Sequence, residues 1–130
     1  MFVKVVDYNP QWENAFATEA KHIRQILGNE LINVFHIGST SIKGMKAKPI
    51  IDIMPIVNDM ARLDGYSLQF EQLGYEVMGE FGIPGRRYYR KGGDDRTHQI
   101  QRSILLLGQE IPKPARHAPA LLTRIFTFFD

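Results

Sequence analysis

The segment from His36 to Asp52 has residue types and spacing suited to binding a phosphate group. Its loop opens with Gly38, which lacks a Cβ, so the backbone can come close to a ligand. Three hydroxyl residues follow, and a loop at this point also offers backbone N–H groups to an anion. A lysine further along adds positive charge. The predicted phosphate-binding residues here are Gly38, Ser39, Thr40, Ser41 and Lys48.

Asp52 is the acidic residue that follows this loop, inside the strongly apolar run at residues 50–57. A carboxylate among apolar neighbours is costly to bury unless it is paired or binds a cation. A carboxylate facing a phosphate-binding loop is placed to hold Mg²⁺ between protein and ligand. We therefore predict Asp52 as a metal ligand and Mg²⁺ as the cofactor. The alternative is a local ion pair with Lys48.

A second charged region spans residues 82–102, which contain six Lys or Arg residues and two Asp residues, a local net charge of +4. Arg86 follows a Gly-Ile-Pro-Gly turn that would aim its guanidinium, a planar group suited to phosphate. We include Arg86 among the phosphate-binding candidates. A solvated hairpin is the alternative. An RNA-binding surface with Tyr88 and Tyr89 is a weaker one, because no RNA-binding motif is present.

The elements that must position these residues follow from the apolar patterns. Leu31–Ile37 and residues 50–55 predict two strands that flank the loop. Before them, Asn9 and Pro10 mark the start of a helix whose apolar stripe runs to Gly28. Further predicted elements are a strand at 2–6, a helix at 63–73, and strands at 75–81, 87–90 and 97–104. This order predicts an α/β fold in which helices pack on a mixed β-sheet.

Composition limits the classes of protein that remain. The chain has 130 residues and 44% apolar residues, which suits one globular domain with a real core. The absence of cysteine excludes disulfides and thiolate zinc sites. No signal peptide and no apolar run long enough for a membrane helix is visible. We expect a cytoplasmic protein without a membrane partner, and the net charge of +2 makes nucleic acid an unlikely one.

Several short strings occur in an order that resembles the GrpB family, a branch of the nucleotidyltransferase-like α/β domains. They are His36-x-Gly-Ser-Thr-Ser41, Lys48-Pro-x-x-Asp52, Tyr8-x-Pro-x-Trp12, Leu73-Gly-Tyr75, Gly82-Ile-Pro-Gly-Arg86 and Arg96-Thr-His98. The resemblance implies a nucleotidyltransferase-like fold and Mg²⁺-dependent nucleotidyl transfer from an NTP to an unknown acceptor. It also implies His36 and His98, beside Asp52, as catalytic candidates.

Two departures from the family pattern leave the activity open. Catalytic nucleotidyltransferases carry a second carboxylate two positions after the first, and here that position is Met54. One carboxylate binds Mg²⁺ less well than two or three. The alternative function is a non-catalytic module that binds a nucleotide or another phosphate-bearing ligand. In addition, Gln99 to Gln101 replace a histidine-bearing stretch, through a frameshift or truncation near residue 101 or as a natural short variant.

We predict a GrpB-like domain at residues 1–107 and an atypical tail at 108–130. The tail carries three prolines and then an apolar run. Such a run needs a partner surface, so it is expected to cover the domain or to join a homodimer.

Overall fold

The computed structural model describes residues 4–103, which form one mixed β-sheet with helices on one face. The strands are β1 (Leu31–Ile37), β2 (Ile51–Val57), β3 (Tyr75–Val77), β4 (Arg86–Lys91) and β5 (His98–Ser103). Their order across the sheet is β1-β2-β5-β4-β3. Strand β2 runs parallel to β5, and every other neighbouring pair is antiparallel. The predicted α/β fold is confirmed.

Strands β1 and β2 form the antiparallel pair that flanks the predicted phosphate loop. Their register places Ile37 opposite Asp52. Every residue of β2 is buried, as expected for a central apolar strand. The strand continues through Pro55, past its predicted end. Proline is tolerated because the ladder to β5 runs only to Ile53, so Pro55 has no hydrogen bond there to remove.

Helix α1 (Gln11–Leu27) begins one residue after its predicted start at Pro10. The side chain of Asn9 accepts a hydrogen bond from the N–H of Gln11 at 2.9 Å, so Asn9 caps the helix as predicted. The apolar stripe is buried against the sheet, and the helix ends at Gly28, whose φ is +54°.

The predicted helix at 63–73 is divided into two short helices. They are α2 (Met60–Leu63) and α3 (Ser67–Gln72), joined by a 3₁₀ turn at Asp64–Tyr66 that contains Gly65. The predicted strand at 75–81 stops at Val77, because the chain turns through glycines with positive φ from Gly79 onward. The predicted strand at 2–6 is wrong where it can be described: Val6 makes only an isolated bridge to Ala47.

The two faces of the sheet differ in character. The apolar cluster that includes α1, α2 and α3 lies against the face that carries Val34, Ile53 and Ile100. The opposite face carries Asp52, and by strand alternation also Met54. Within residues 4–103, no helix is long and apolar enough to cross a membrane. The domain boundary after residue 107 and the tail at 108–130 lie outside the described residues and stay predictions.

A buried ion pair joins Glu19 on α1 to Lys91 on β4. Glu19 is 4% exposed and accepts hydrogen bonds from the Lys91 ammonium at 2.5 Å and the Tyr75 hydroxyl at 2.6 Å. Burial by itself raises the pKa of Glu19, but the hydrogen bonds from Lys91 and Tyr75 outweigh burial and lower it below its ordinary value. The carboxylate is therefore charged at neutral pH.

We predict that Glu19→Gln lowers the free energy of unfolding at pH 7 by about 2 kcal/mol, because Lys91 loses the charge that compensates its partial burial. Since the folded-state pKa of Glu19 is lowered, its contribution is complete above the ordinary value of 4.5 and disappears as pH falls below it. Urea unfolding at pH 7 and pH 3 measures both effects. Glu71→Gln, at an exposed position on α3, is the control. An equal loss at both pH values would contradict the prediction.

Candidate functional site

A cavity of about 280 Å³ opens where the β1–β2 loop meets the start of β2. Its lining residues are Val5, Ser39, Thr40, Lys46, Ala47, Lys48, Ile50 and Asp52. Four predicted site residues therefore share one cavity: Ser39, Thr40, Lys48 and Asp52. Lys46 also lines it, although the sequence predicted no role for this residue. Its spacing from Lys48 is the signal, because residues two apart in an extended segment point the same way.

Gly38 and Asp52 are in direct contact at the inner end of this cavity. Gly38 has a φ of +74°, and an added Cβ would overlap Oδ2 of Asp52 and lie 3.0 Å from its Cβ. Asp52 is 2% exposed. The missing side chain of Gly38 thus makes room for the carboxylate, whereas the sequence had suggested room for a ligand. The loop backbone and the carboxylate are held together as one unit.

The three loop hydroxyls have different roles. Thr40 is buried, and its Oγ1 donates to the carbonyl of Ile50 at 3.0 Å. Ser41 Oγ donates to the carbonyl of Gly38 at 2.6 Å. These two bonds stabilise the 3₁₀ turn at Ser39–Ser41 and join it to the residue that precedes β2. Ser39 is half-buried, lines the cavity, and finds no side-chain hydrogen-bond partner within residues 4–103. It is the hydroxyl that remains available to a ligand.

His36 lies on the helix face of the sheet, away from the face of Asp52. Its ring stacks on Phe16 with centroids 4.9 Å apart, and its Nε2 lies 3.0 Å from Thr40 Oγ1. Since Thr40 already donates its hydrogen to Ile50, we assign the proton to Nε2 of His36, which donates to Thr40. Burial lowers the pKa of His36 to about 4. The geometry gives His36 a supporting position behind the loop, and a catalytic role stays untested.

His98 also lies on the helix face, between Ile51 and Lys91 in the strand register. Its Nδ1 is 2.9 Å from Thr97 Oγ1. Burial lowers the pKa of His98, although the nearby Glu19 carboxylate opposes the shift. The cavity lining does not include it. His98 is therefore close to the Glu19–Lys91 pair, and the predicted catalytic role has no geometric support from the cavity.

Arg86 is far from the cavity. It lies four residues along and two strands across from the level of Asp52, roughly 16 Å away by strand geometry. Its guanidinium is buried and donates to the carbonyls of Glu80 at 3.2 Å and Phe81 at 2.8 Å. Burial lowers its pKa, while the nearby Tyr88 opposes that shift. These bonds hold the 79–85 turn, and the structure does not bring Arg86 to the phosphate loop.

Other cations of this hairpin whose side chains the structure describes are also bonded within the chain. Arg87 donates to both carboxylate oxygens of Asp64 at 2.7 and 3.1 Å. Arg90 lies 3.4 Å from Glu76, and Arg96 donates to the Tyr88 hydroxyl at 3.1 Å. These internal bonds compete with any nucleic-acid phosphate for the same cations. They favour a structural interpretation of the charged hairpin.

Among residues 4–103, no group of three or more His, Cys, Asp or Glu side chains is arranged to hold a metal ion. The next residue of β2 on the same face as Asp52 is Met54, which is fully buried. The protein therefore offers one carboxylate at the cavity. Mg²⁺ is commonly held by one or two carboxylates together with ligand phosphates, so Asp52 fits such an ion only in the presence of a phosphate-bearing ligand.

Comparison with known proteins shows which family the chain belongs to. The model of the GrpB protein family matches residues 2–110. The chain belongs to the GrpB family. It is 42% identical over 98 residues to the UPF0157 protein YqkA of Bacillus subtilis. That match covers 75% of this chain and 29% of YqkA. It is 29% identical over 93 residues to the glutamate-rich protein GrpB of Alkalihalophilus pseudofirmus, covering 71% of this chain and 53% of that one.

The crystal structure of conserved protein GrpB from Enterococcus faecalis has the same fold, with a TM-score of 0.73 and 47% identity. The match covers 75% of this chain and 59% of that chain. This GrpB chain thus spans less than two thirds of the length of these relatives. Their names state no substrate, and the site must be interpreted from its own geometry.

We predict that Gly38→Ala lowers the free energy of unfolding by about 3 kcal/mol, because alanine is strained at positive φ and its Cβ meets the Asp52 carboxylate. Gly44→Ala is a matched control: its φ is +82° and no atom lies within 4 Å of an added Cβ. It should lose only about 1 kcal/mol from backbone strain. Equal losses in urea unfolding would show that the Gly38–Asp52 contact does not constrain the loop.

A further prediction concerns acid stability. The pKa of His36 is lowered to about 4 from an ordinary value of 6.5, so between these values the unfolded chain binds a proton that the folded chain does not. Stability should fall as pH decreases through this window. His36→Gln keeps a donor for Thr40 without titrating, so the variant should lose stability less steeply from pH 6.5 to 4. NMR titration of the His36 ring checks the pKa directly, and a value near 6.5 would contradict the assignment.

Proposed function

We propose that this GrpB chain binds a phosphate-bearing small molecule, with nucleotides as the first candidates, in the cavity at the β1–β2 loop. The observation that carries the proposal is the convergence of Ser39, two lysines and Asp52 on one cavity. A hydroxyl and two ammonium groups suit phosphate oxygens. The volume of about 280 Å³ lies near the lower end of small-molecule sites, which suits a phosphate ester and part of its sugar.

The charges explain why a cation should accompany the ligand. Lys46 and Lys48 are exposed at the cavity, and Lys46 also lies 3.5 Å from Asp7. Asp52 is deeper and would repel a phosphate brought next to it. Mg²⁺ between the carboxylate and the phosphate oxygens would turn this repulsion into attraction. We therefore infer that Asp52 is the protein ligand of a Mg²⁺ ion that binds together with the nucleotide.

Nucleotidyl transfer from an NTP to an unknown acceptor is the second candidate function. The contact between Asp52 and the loop favours it, because transfer needs a cation held beside the transferred phosphate. The side chain of Met54 at the next position of the same face argues for slow or absent turnover. Non-catalytic binding is therefore the better-supported proposal. A cytoplasmic location and a homodimer formed through the tail remain further proposals.

The deciding experiment is titration of ATP and GTP into the full chain, with and without Mg²⁺, by calorimetry. We expect at least one nucleotide to bind, with Mg²⁺ strengthening its binding about tenfold or more. Asp52→Asn should remove the Mg²⁺ enhancement, because the amide carries no charge for the cation. Lys48→Met should weaken binding with or without Mg²⁺.

Glu71→Gln, an exposed acidic-to-amide change on α3, controls for the loss of one negative charge. It should leave both affinities unchanged. If the wild type binds neither nucleotide, the proposed function is wrong. If Asp52→Asn binds Mg²⁺-nucleotide as tightly as the wild type, the role of Asp52 is wrong even though the cavity binds nucleotide. Release of pyrophosphate during incubation with NTP would favour the transferase candidate.

A further inference from the structure

Polar side chains continue from Asp52 across the same face of the sheet. In the strand register, Asp52 on β2 is beside Gln99 on β5, and Gln99 is beside Arg90 on β4. Strand alternation places Gln101 on this face as well. Neighbouring strands lie about 4.8 Å apart, so Gln99 is the next side chain beyond the carboxylate that lines the cavity.

Both glutamines are fully buried, each with 0% exposure. In both side chains the amide nitrogen and the amide oxygen have no hydrogen-bond partner in the described part of the chain. Buried amides are normally paired, because an unpaired donor or acceptor gives up its bonds to water without compensation. Two neighbouring amides with all four polar atoms unpaired are therefore an anomaly that packing does not explain.

Several polar residues on this face do have partners, although within residues 4–103 the Nε of Arg90 is also buried without a hydrogen bond. Arg86 donates to the carbonyls of Glu80 and Phe81, and Arg90 forms an ion pair with Glu76. Tyr88, the register neighbour of Gln101, accepts from Arg96 and stacks on the half-exposed ring of Phe81 at 5.4 Å. The face therefore combines unpaired amides with an aromatic pair beside them.

We propose that Gln99, supported by Gln101, recognises a planar group that presents a hydrogen-bond donor beside an acceptor. A nucleobase edge and a primary carboxamide both have this chemistry, and a glutamine amide pairs with either through two hydrogen bonds. The group belongs to the ligand whose phosphate lies at Ser39 and Lys48, so the inference rests on the proposed function. The half-exposed ring of Phe81, which stacks on the buried Tyr88, adds a surface on which a planar ring can stack.

The test compares ligands that share a ribose phosphate and differ in the planar group. Ribose 5-phosphate, AMP and nicotinamide mononucleotide are titrated into the full chain and into Gln99→Met. We expect AMP or nicotinamide mononucleotide to bind the wild type at least about tenfold more tightly than ribose 5-phosphate. Preference for AMP identifies a nucleobase, and preference for nicotinamide mononucleotide identifies a carboxamide. In Gln99→Met the preference should vanish while ribose 5-phosphate binds as before.

Thermal unfolding without ligand separates this role from a structural one. Because Gln99→Met removes an amide that has no partner, the variant should unfold at the same temperature as the wild type or higher. Gln25→Met, at an exposed position on α1, is the matched control and should change neither stability nor binding. A clear fall in the unfolding temperature of Gln99→Met would show that the amide has a structural partner and would overturn the inference.

Two further outcomes distinguish this inference from the proposed function. If ribose 5-phosphate binds and the planar group adds no affinity, the phosphate cavity stands and the glutamine site is wrong. If ribose 5-phosphate does not bind, free adenosine and nicotinamide are titrated. Binding that depends on Gln99 then supports the glutamine site although the phosphate cavity is wrong, and no binding of any ligand overturns both.

Discussion

The contact between Gly38 and Asp52 is the constraint on which the rest of the site depends. The β1–β2 pairing places Ile37 opposite Asp52, so the chain leaves β1 beside a buried carboxylate. Only a residue without a Cβ fits there, and the positive φ of Gly38 then turns the backbone into the loop. Thr40 fixes the far side of the turn through the carbonyl of Ile50. The contact between Gly38 and Asp52 thus sets the positions of the cavity, of the Ser39 hydroxyl and of the Asp52 carboxylate.

Much of the fold could be predicted from the sequence because the decisive patterns are local. The runs that became β1 and β2 are rich in branched apolar residues, and the stripe of α1 has helical spacing with a cap at Asn9. The sequence did not predict the break between α2 and α3, because the apolar pattern at 63–73 continues across the turn that contains Gly65. A single glycine lowers helix stability only modestly, so it does not by itself mark a break. The single bridge at Val6 was missed because a short apolar run does not specify its partner strand.

The site was harder to predict because it depends on which face each side chain occupies. His36 lies two residues before Gly38 in sequence, yet strand alternation places it on the helix face of the sheet, where it stacks on Phe16. Arg86 follows a turn that would aim it outward, but carbonyls of that same turn take its guanidinium. The position of His36 depends on packing against a distant segment, and that of Arg86 depends on the folded shape of its own turn. A residue pattern specifies neither. Lys48 and Ser39 were predictable because they belong to the loop itself.

Within the described residues, the two faces of the sheet differ in how many buried polar atoms lack a hydrogen-bond partner: the hydroxyl of Tyr89 on the helix face, and the Nε of Arg90 with both glutamine amides on the other. On the helix face, apolar side chains dominate and the buried charge of Glu19 is matched by Lys91, as stability requires. On the other face, Gln99 and Gln101 remain buried and unpaired, at a cost of about 1–3 kcal/mol for each unsatisfied group. Leucine or methionine would fill the same space without that cost. Because Arg86 is satisfied by carbonyls on the same face, pairing is possible there. Groups that stability alone would replace are typical of binding sites, where activity and stability oppose each other.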